Sequence, residues 1–176
     1  MPQIFLDCDG VLADFDRVAR QIFSQDSRAA EKAVGSDEFW HRIRKTGAFY
    51  RNLPPVADAF ELYRAVAHLH PIILTGVPPG GWSEPQKVEW AAEYFPGVKI
   101  ITCASKDKFL HMHKPGDILV DDYLRFKDVW EQAGGIFIHH LTAKQSIQAL
   151  AALGLPVHLP TPEKPVRTRD PSSQSS

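Results

Sequence analysis

The sequence predicts an α/β fold with a mainly parallel central sheet that is covered by helices on both faces. Short apolar runs alternate with helical patterns along most of the chain, which is typical of parallel strands joined by helical crossovers. Polar residues follow three of these runs at the point where each run ends. The predicted strands are residues 3–6, 71–74, 98–101, 117–120 and 136–138.

A long interruption of this alternation follows the first predicted strand. Asp14 can cap a helix, and apolar residues then recur at helical spacing from Phe15 to Phe23. Residues 52–55 contain two prolines, which disfavour helix and indicate a linker. The Pro- and Ser-rich C-terminal residues have too few apolar side chains to form a core. We therefore expect a core domain from residues 1–13 and 54–159, a small helical cap from residues 14–53, and a disordered tail from residues 160–176.

Capping patterns mark two helices of the predicted core. Ser83 is followed three residues later by Gln86, and Thr142 by Gln145. Both pairs match the capping box, in which each side chain bonds a backbone N–H at the start of a helix. We expect helices to begin at both places. Lys87, near the start of the first of these helices, can point toward the site, but we interpret it as a surface charge.

The composition is that of an ordinary globular chain. Of its 176 residues, 44% are apolar and 23% are charged, and the net charge is -1. No charge excess favours a nucleic acid polymer or an anionic membrane, and no apolar run approaches the ~20 residues of a membrane span. The N-terminal residues lack the pattern of a signal peptide, and Cys8 and Cys103 are too few for a disulfide framework. We expect a cytoplasmic protein with two free thiols.

Two carboxylates two residues apart, Asp7 and Asp9, leave the end of the first strand together. One such carboxylate can attack a phosphorus atom, and the other can exchange a proton with the leaving group and with water. Gly10 lets the backbone turn sharply beside a ligand. The spacing also fits an ordinary acidic turn. A calcium loop is a poorer fit, because no further oxygen ligands follow at the required spacing.

The ends of two later strands carry groups that suit phosphate and a metal ion. Thr75 and Gly76 offer a hydroxyl and backbone N–H groups to phosphate oxygens. Lys106 or Lys108 can offset phosphate charge, although either can be a solvated lysine. The adjacent acids Asp121 and Asp122 are costly unless a cation lies there, and magnesium prefers carboxylate oxygens and water. One of these two acids can instead serve the start of the next helix.

The order of these motifs resembles that of the haloacid dehalogenase (HAD) superfamily. Within it, several segments are similar to the 5'(3')-deoxyribonucleotidase family. They are residues 5–15, 39–40, 52–54, 105–108 and 118–122. The resemblance implies a HAD-like three-layer α/β sandwich with a small helical cap inserted after the first strand. It also implies a magnesium-dependent phosphatase that forms a phospho-aspartate intermediate.

The resemblance implies a role for each site residue. Asp7 would be the nucleophile and Asp9 the acid and base, while Thr75 and Lys108 would hold phosphate. Lys106 matches a position near the substrate phosphate, and Gly76 stands where the characterised nucleotidases have a serine. The implied Mg²⁺ ligands are Asp7, the backbone carbonyl of Asp9, and Asp122, with Asp121 close by.

The implied substrate is a small phosphorylated metabolite, in particular a (deoxy)nucleoside monophosphate. Phe15 and the pair Phe39 and Trp40 would line a pocket that stacks the base, which is worth ~1–3 kcal/mol per base. Phe39 and Trp40 can equally form the core of the cap. A phosphatase for another metabolite, such as a sugar phosphate, and a binding module without turnover both stay open. We expect a monomer or a homodimer.

Overall fold

A computed structural model describes residues 1–159, which form a five-stranded sheet with helices on both faces. The predicted tail, residues 160–176, lies outside the described residues. The strands are β1 (Ile4–Leu6), β2 (Ile72–Gly76), β3 (Ile100–Cys103), β4 (Ile118–Asp121) and β5 (Ile136–His139). The helices are α1 (Phe15–Phe23), α2 (Ser27–Val34), α3 (Ser36–Lys45), α4 (Ala59–Val66), α5 (Glu84–Tyr94), α6 (Lys127–Gln132) and α7 (Ala143–Ala152). Short 3₁₀ turns occupy Ala67–Leu69, Ser105–His111 and Leu124–Phe126.

The strand order places the first strand at the centre of the sheet. The order is β3-β2-β1-β4-β5, and every neighbouring pair is parallel. The carboxyl ends of all five strands therefore lie at one edge. In open α/β sheets, ligands bind beside this edge, near the point where the strand order reverses. Here the order reverses at β1, so the residues after β1 lie at the position that such sheets favour for a site.

The strands extend further toward this edge than their apolar runs predicted. The ladder of β2 and β3 continues through Thr75 and Gly76, and that of β4 and β5 through Asp121. Apolar runs mark the buried part of a strand, whereas backbone pairing continues into polar residues. Thr75, Gly76 and Asp121 are consequently held in the sheet itself, which fixes their backbones more firmly than a loop would.

Alternate strand residues pack into two cores, one on each face of the sheet. Ile4 and Leu6 of β1 belong to the larger core, with residues of α4, α5 and α7. Phe5 faces the smaller core, where the indole ring of Trp130 from α6 lies edge-on at 5.6 Å. This alternation is what a pleated strand buried on both faces requires.

Helices α1, α2 and α3 form an insert between β1 and β2. Asp14 caps α1 as predicted, because its carboxylate accepts a hydrogen bond from the backbone N–H of Arg17 at 3.3 Å. Asp26 caps α2 in the same way. The predicted α/β fold, with a parallel sheet and a helical cap inserted after its first strand, is confirmed. The exact domain boundaries at residues 14 and 53 stay predictions.

One of the two predicted capping boxes is wrong. Thr142 caps α7 as expected and accepts from the N–H of Gln145 at 3.2 Å. Ser83 precedes α5, but its own backbone is already helical, so its hydroxyl does not reach the first turn. Gln86 reaches the end of the cap instead, and its amide oxygen accepts from the N–H of Tyr50 at 3.0 Å.

The predictions about the two cysteines and about membrane-spanning helices can also be compared with the structure. Cys8 and Cys103 are both free thiols, as expected. Within residues 1–159, none of the helices combines the length and the apolar character that a bilayer crossing requires.

Asp117 binds three backbone N–H groups from two segments of the chain at the start of β4, so its removal should destabilise the fold. The carboxylate is fully buried and accepts from the N–H groups of Gln3 at 2.8 Å, His113 at 2.8 Å and Lys114 at 3.1 Å. A buried donor without a partner costs about 1–3 kcal/mol. We expect Asp117→Ala to lower the free energy of unfolding by about 3 kcal/mol or more in urea titrations. The exposed control Glu93→Ala should change it by less than ~0.5 kcal/mol, and equal effects of the two variants would contradict the assignment.

Candidate active site

Three polar segments meet at the carboxyl edge of the sheet. Asp7 directly follows β1, Asp121 is the last residue of β4, and Lys108 comes from the 3₁₀ turn after β3. The chain separates Lys108 from Asp7 by 101 residues, and the parallel sheet brings them into contact. The convergence that the sequence predicted is therefore present.

Lys108 forms a buried ion-pair cluster with two of the predicted acids. Its Nζ donates to Asp7 Oδ1 at 2.7 Å and to Asp121 Oδ2 at 2.7 Å. Burial alone would lower the pKa of Lys108, but the charges and hydrogen bonds of Asp7 and Asp121 raise it above its usual value. The lysine is therefore a fixed positive charge that orients both carboxylates.

Three carboxyl groups lie close together at this edge. Asp7, Asp121 and Asp122 each offer a carboxylate oxygen, and these oxygens lie within 4.8 Å of one another. Burial, followed by the charges of Asp7 and Asp121, raises the pKa of Asp122 to about 7. Burial and the charge of Asp121 also raise the pKa of Asp7, against the opposing effect of Lys108. A cation would relieve this repulsion, and the three carboxylates form a set that can hold a metal ion.

Gly10 leaves the space that the carboxylate of Asp122 occupies. Its φ is +80°, and a Cβ atom at this position would lie 2.5 Å from Asp122 Cγ. L-residues rarely adopt this conformation, so both the backbone and the contact require glycine. The glycine of the first motif thus allows the loop after β1 to approach the acid that follows β4.

Asp9 has a different partner, which the sequence did not identify. The Nζ of Lys87 donates to Asp9 Oδ2 at 2.5 Å and to Thr75 Oγ1 at 2.9 Å. It also lies 4.3 Å from the centre of the Tyr50 ring. The prediction that Lys87 is a surface charge is wrong, because only 1% of its side chain is exposed. Its helix turns it toward the site on the same face as its buried neighbours in α5.

The cap also contributes a charged residue that the sequence did not identify. Arg28 of α2 donates to Asp122 Oδ2 at 3.0 Å, and its guanidinium lies 4.5 Å from the centre of the Tyr123 ring. The two partners are separated by 94 residues, and no local pattern links them. This ion pair connects the cap directly to the edge of the core.

A cavity of about 420 Å³ lies between the cap and the carboxyl edge. Asp7, Asp9, Asp121, Asp122 and Lys108 line its floor. The remaining predicted binding residues also line this cavity: Phe15, Phe39, Trp40, Gly76 and Lys106. Thr75 is fully buried beside the floor, where its hydroxyl is bound by Lys87. Ten of the eleven predicted site residues thus line one cavity, and their roles stay predictions.

The cap aromatics take part in both the packing and the cavity wall. Phe39 is 1% exposed, and its ring stacks on that of Phe23 with centroids 4.7 Å apart, so most of it belongs to the cap core. Phe15 and Trp40 are half-buried, and their ring centroids lie 6.1 Å apart. These two rings offer the larger aromatic surface to the cavity.

Comparisons with known proteins bear on the fold. No protein-family model and no curated protein matches the chain. The chain is similar to a hydrolase from Pseudomonas syringae, with 13% identity and a TM-score of 0.50 over 87% of this chain and 99% of that one. It is also similar to a HAD hydrolase of family IA, variant 3, from Entamoeba histolytica, with 15% identity and a TM-score of 0.49 over 86% and 89% of the two chains. A hydrolase from Streptococcus pneumoniae has 10% identity and a TM-score of 0.48 over 87% and 98%. At identities this low, the similarity concerns the course of the backbone alone.

Proposed function

We propose that this protein is a magnesium-dependent phosphomonoester hydrolase that works through a phospho-aspartate on Asp7. The observation that carries the proposal is that the two acids of the first motif have separate lysine partners. Asp7 contacts Lys108 beside the other acids, whereas Asp9 contacts Lys87. Two carboxylates in different environments can take different roles, one as nucleophile and the other as acid and base.

The donor set supports magnesium as the cofactor. Asp7, Asp121 and Asp122, with the backbone carbonyl of Asp9, would hold Mg²⁺, and the ion would offset the negative charge of the phosphoryl group there. All of these donors are oxygen atoms, which suit Mg²⁺. Zinc is a poorer fit, because it favours nitrogen and sulfur ligands.

The chain's own residues can carry both halves of the reaction. An oxygen of Asp7 attacks the phosphorus atom, the bond from phosphorus to the ester oxygen breaks, and Asp9 protonates the departing oxygen. Asp9 then takes a proton from water as the water oxygen attacks phosphorus, which releases inorganic phosphate and restores Asp7. Lys108 offsets the negative charge on the transferring group.

The cavity supports a (deoxy)nucleoside monophosphate as the substrate. Its volume lies in the range of small-molecule sites. Phe15 and Trp40 can stack on a base while the ester phosphate reaches the carboxylates on the floor. The cap end of the cavity also carries polar groups, which favour a sugar phosphate as the second candidate. These polar residues are Asp16, Ser27, Glu31 and Ser36.

A panel of phosphomonoesters tests both candidates. The purified chain would be assayed with deoxynucleoside monophosphates, ribonucleoside monophosphates and sugar phosphates, in Mg²⁺ and after chelation. We expect hydrolysis that chelation abolishes and Mg²⁺ restores, with the highest kcat/KM for a deoxynucleoside monophosphate. A preference for sugar phosphates would overturn the substrate class, and a folded protein that hydrolyses no phosphomonoester with Mg²⁺ would be a binding module.

A substitution in the cap separates base stacking from general loss of activity. Trp40→Ala should lower kcat/KM for the nucleotide by about 5- to 150-fold, which corresponds to ~1–3 kcal/mol of stacking. The same variant should leave kcat/KM for a small aryl phosphate within about threefold, because that substrate leaves the aromatic wall mostly uncovered. Equal losses with both substrates would indicate that Trp40 only supports the cap.

A further inference from the structure

Lys87 is a buried cation that contacts three other residues. Its ammonium group is bound to the carboxylate of Asp9 and the hydroxyl of Thr75, and the ring of Tyr50 covers it. An ammonium group has three donors, and burying it is costly unless these donors find partners. The contacts come from three separate parts of the chain: the loop after β1, strand β2 and the end of the cap. The ammonium group of Lys87 therefore acts on the side chains that it contacts and has almost no contact with solvent.

The contact with Lys87 makes the two oxygens of Asp9 unequal. Oδ2 accepts the hydrogen bond from Lys87 at 2.5 Å. Oδ1 is buried and has no hydrogen-bond partner among residues 1–159. A buried acceptor without a partner is unfavourable, and among the described residues Lys87 alone donates a hydrogen bond to this carboxyl group. Asp9 also lines the cavity, where a substrate would lie.

We propose that Lys87 is a positioning residue that fixes the carboxyl group of Asp9 for proton transfer. This inference rests on the proposed function. Lys87 holds the carboxyl group of Asp9 at the wall of the cavity, where it can meet the ester oxygen. When the bond from phosphorus to that oxygen breaks, its electron pair stays on the oxygen, which takes a proton from Asp9. Water later returns a proton to Asp9 as its oxygen bonds to phosphorus and the bond from phosphorus to Asp7 breaks.

Lys108 and Lys87, the two buried lysines of the site, thus contact different acids. Lys108 lies between Asp7 and Asp121, where phosphoryl charge develops. Lys87 contacts neither of these acids through its hydrogen bonds and acts through Asp9. Loss of Lys108 should slow every phosphomonoester, because each transfers the same phosphoryl group. Loss of Lys87 should slow only those substrates whose leaving group needs a proton.

The role of Lys87 can be tested by comparing substrates whose leaving groups differ in their need for a proton. A nitrophenolate leaves without protonation, whereas the alkoxide of an alkyl ester must be protonated as it departs. Lys87→Met should lower kcat/KM for the best alkyl phosphate of the panel by about 10²- to 10³-fold, the usual contribution of a positioned acid. It should lower kcat/KM for p-nitrophenyl phosphate by less than about tenfold. Because kcat/KM covers only the steps through the departure of the leaving group, hydrolysis of the phospho-aspartate does not affect this comparison.

The ratio of the two kcat/KM values stays valid if part of the variant fails to fold. An inactive fraction lowers both values equally and cancels in the ratio. Lys87→Arg keeps the positive charge and should bring the ratio back toward that of the unmodified protein. The exposed control Lys144→Met should leave both values unchanged.

A double variant separates positioning from general support of the structure. If Lys87 acts through Asp9, Asp9→Asn should change the substrate ratio in the same direction. Lys87→Met should then add little to Asp9→Asn, because the two residues act as one unit. Equal losses with both substrates, or fully additive effects, would overturn the role of Lys87. An unmodified protein that hydrolyses neither substrate would instead overturn the proposed function.

Discussion

Asp7→Asn should lower kcat for the best phosphomonoester by on the order of 10⁴-fold or more, as loss of a covalent nucleophile does elsewhere. An amide oxygen is a poor nucleophile and cannot form the phosphoryl intermediate. The fold should persist, because Lys108 keeps its ion pair with Asp121 and an uncharged group at position 7 avoids the burial and the charge of Asp121 that raise the pKa of Asp7. Steady-state assays with Mg²⁺ measure the loss, and circular dichroism and urea unfolding check the fold.

A matched substitution away from the cavity controls for the chemical change itself. Asp128→Asn makes the same replacement at an exposed position of α6. We expect kcat of this variant to stay within about twofold of the unmodified protein, since most surface changes are small. If Asp7→Asn retains a tenth of the activity or more, Asp7 is not the nucleophile.

Lys108→Met should damage stability and activity together. The change removes the partner of two buried carboxylates, Asp7 and Asp121, at 2.7 Å each. Breaking a buried ion pair from one side costs about 3–5 kcal/mol, because it leaves uncompensated charge behind. We expect a loss of that size in the free energy of unfolding, measured in urea after chelation. We also expect kcat to fall by about 10²- to 10³-fold, as it does when a group that stabilises developing charge is removed.

Magnesium provides a second readout of the same variant. With Lys108 gone, the carboxylates repel one another more strongly, so a cation bound to them should restore more stability than it does in the unmodified protein. The measurement is the increase in unfolding free energy between chelated and Mg²⁺-containing buffer. A variant as stable as the unmodified protein without the ion would contradict the buried cluster.

The parallel sheet and the cap could be predicted because their signals are local. Apolar runs, prolines and capping residues act within a few positions of one another. The sequence could also predict that Asp7, Thr75 and Asp121 lie together, since the ends of parallel strands share one edge. The strands end later than their apolar runs predict, because backbone pairing continues past the apolar residues.

Lys87, the second buried lysine of the site, was harder to predict. Lys87 pairs with an acid 78 residues away, and a lysine in a helix usually faces water. One local signal was present: Trp90 and Ala91 lie three and four positions later, and both are buried. Residues at this spacing share one face of a helix, so Lys87 lies on the buried face. Arg28 offered no such signal, because its contact with Asp122 depends on how the cap folds over the core.

Trapping the phosphorylated side chain tests the phospho-aspartate mechanism most directly. The protein would be quenched in acid during turnover with Mg²⁺, and borohydride would reduce any acyl phosphate to an alcohol. An aspartyl phosphate treated in this way becomes homoserine, which peptide mass spectrometry can place in the chain. We expect homoserine at position 7 in the active protein and none there in Asp7→Asn. Homoserine at another aspartate, or none while phosphate is being released, would contradict this mechanism.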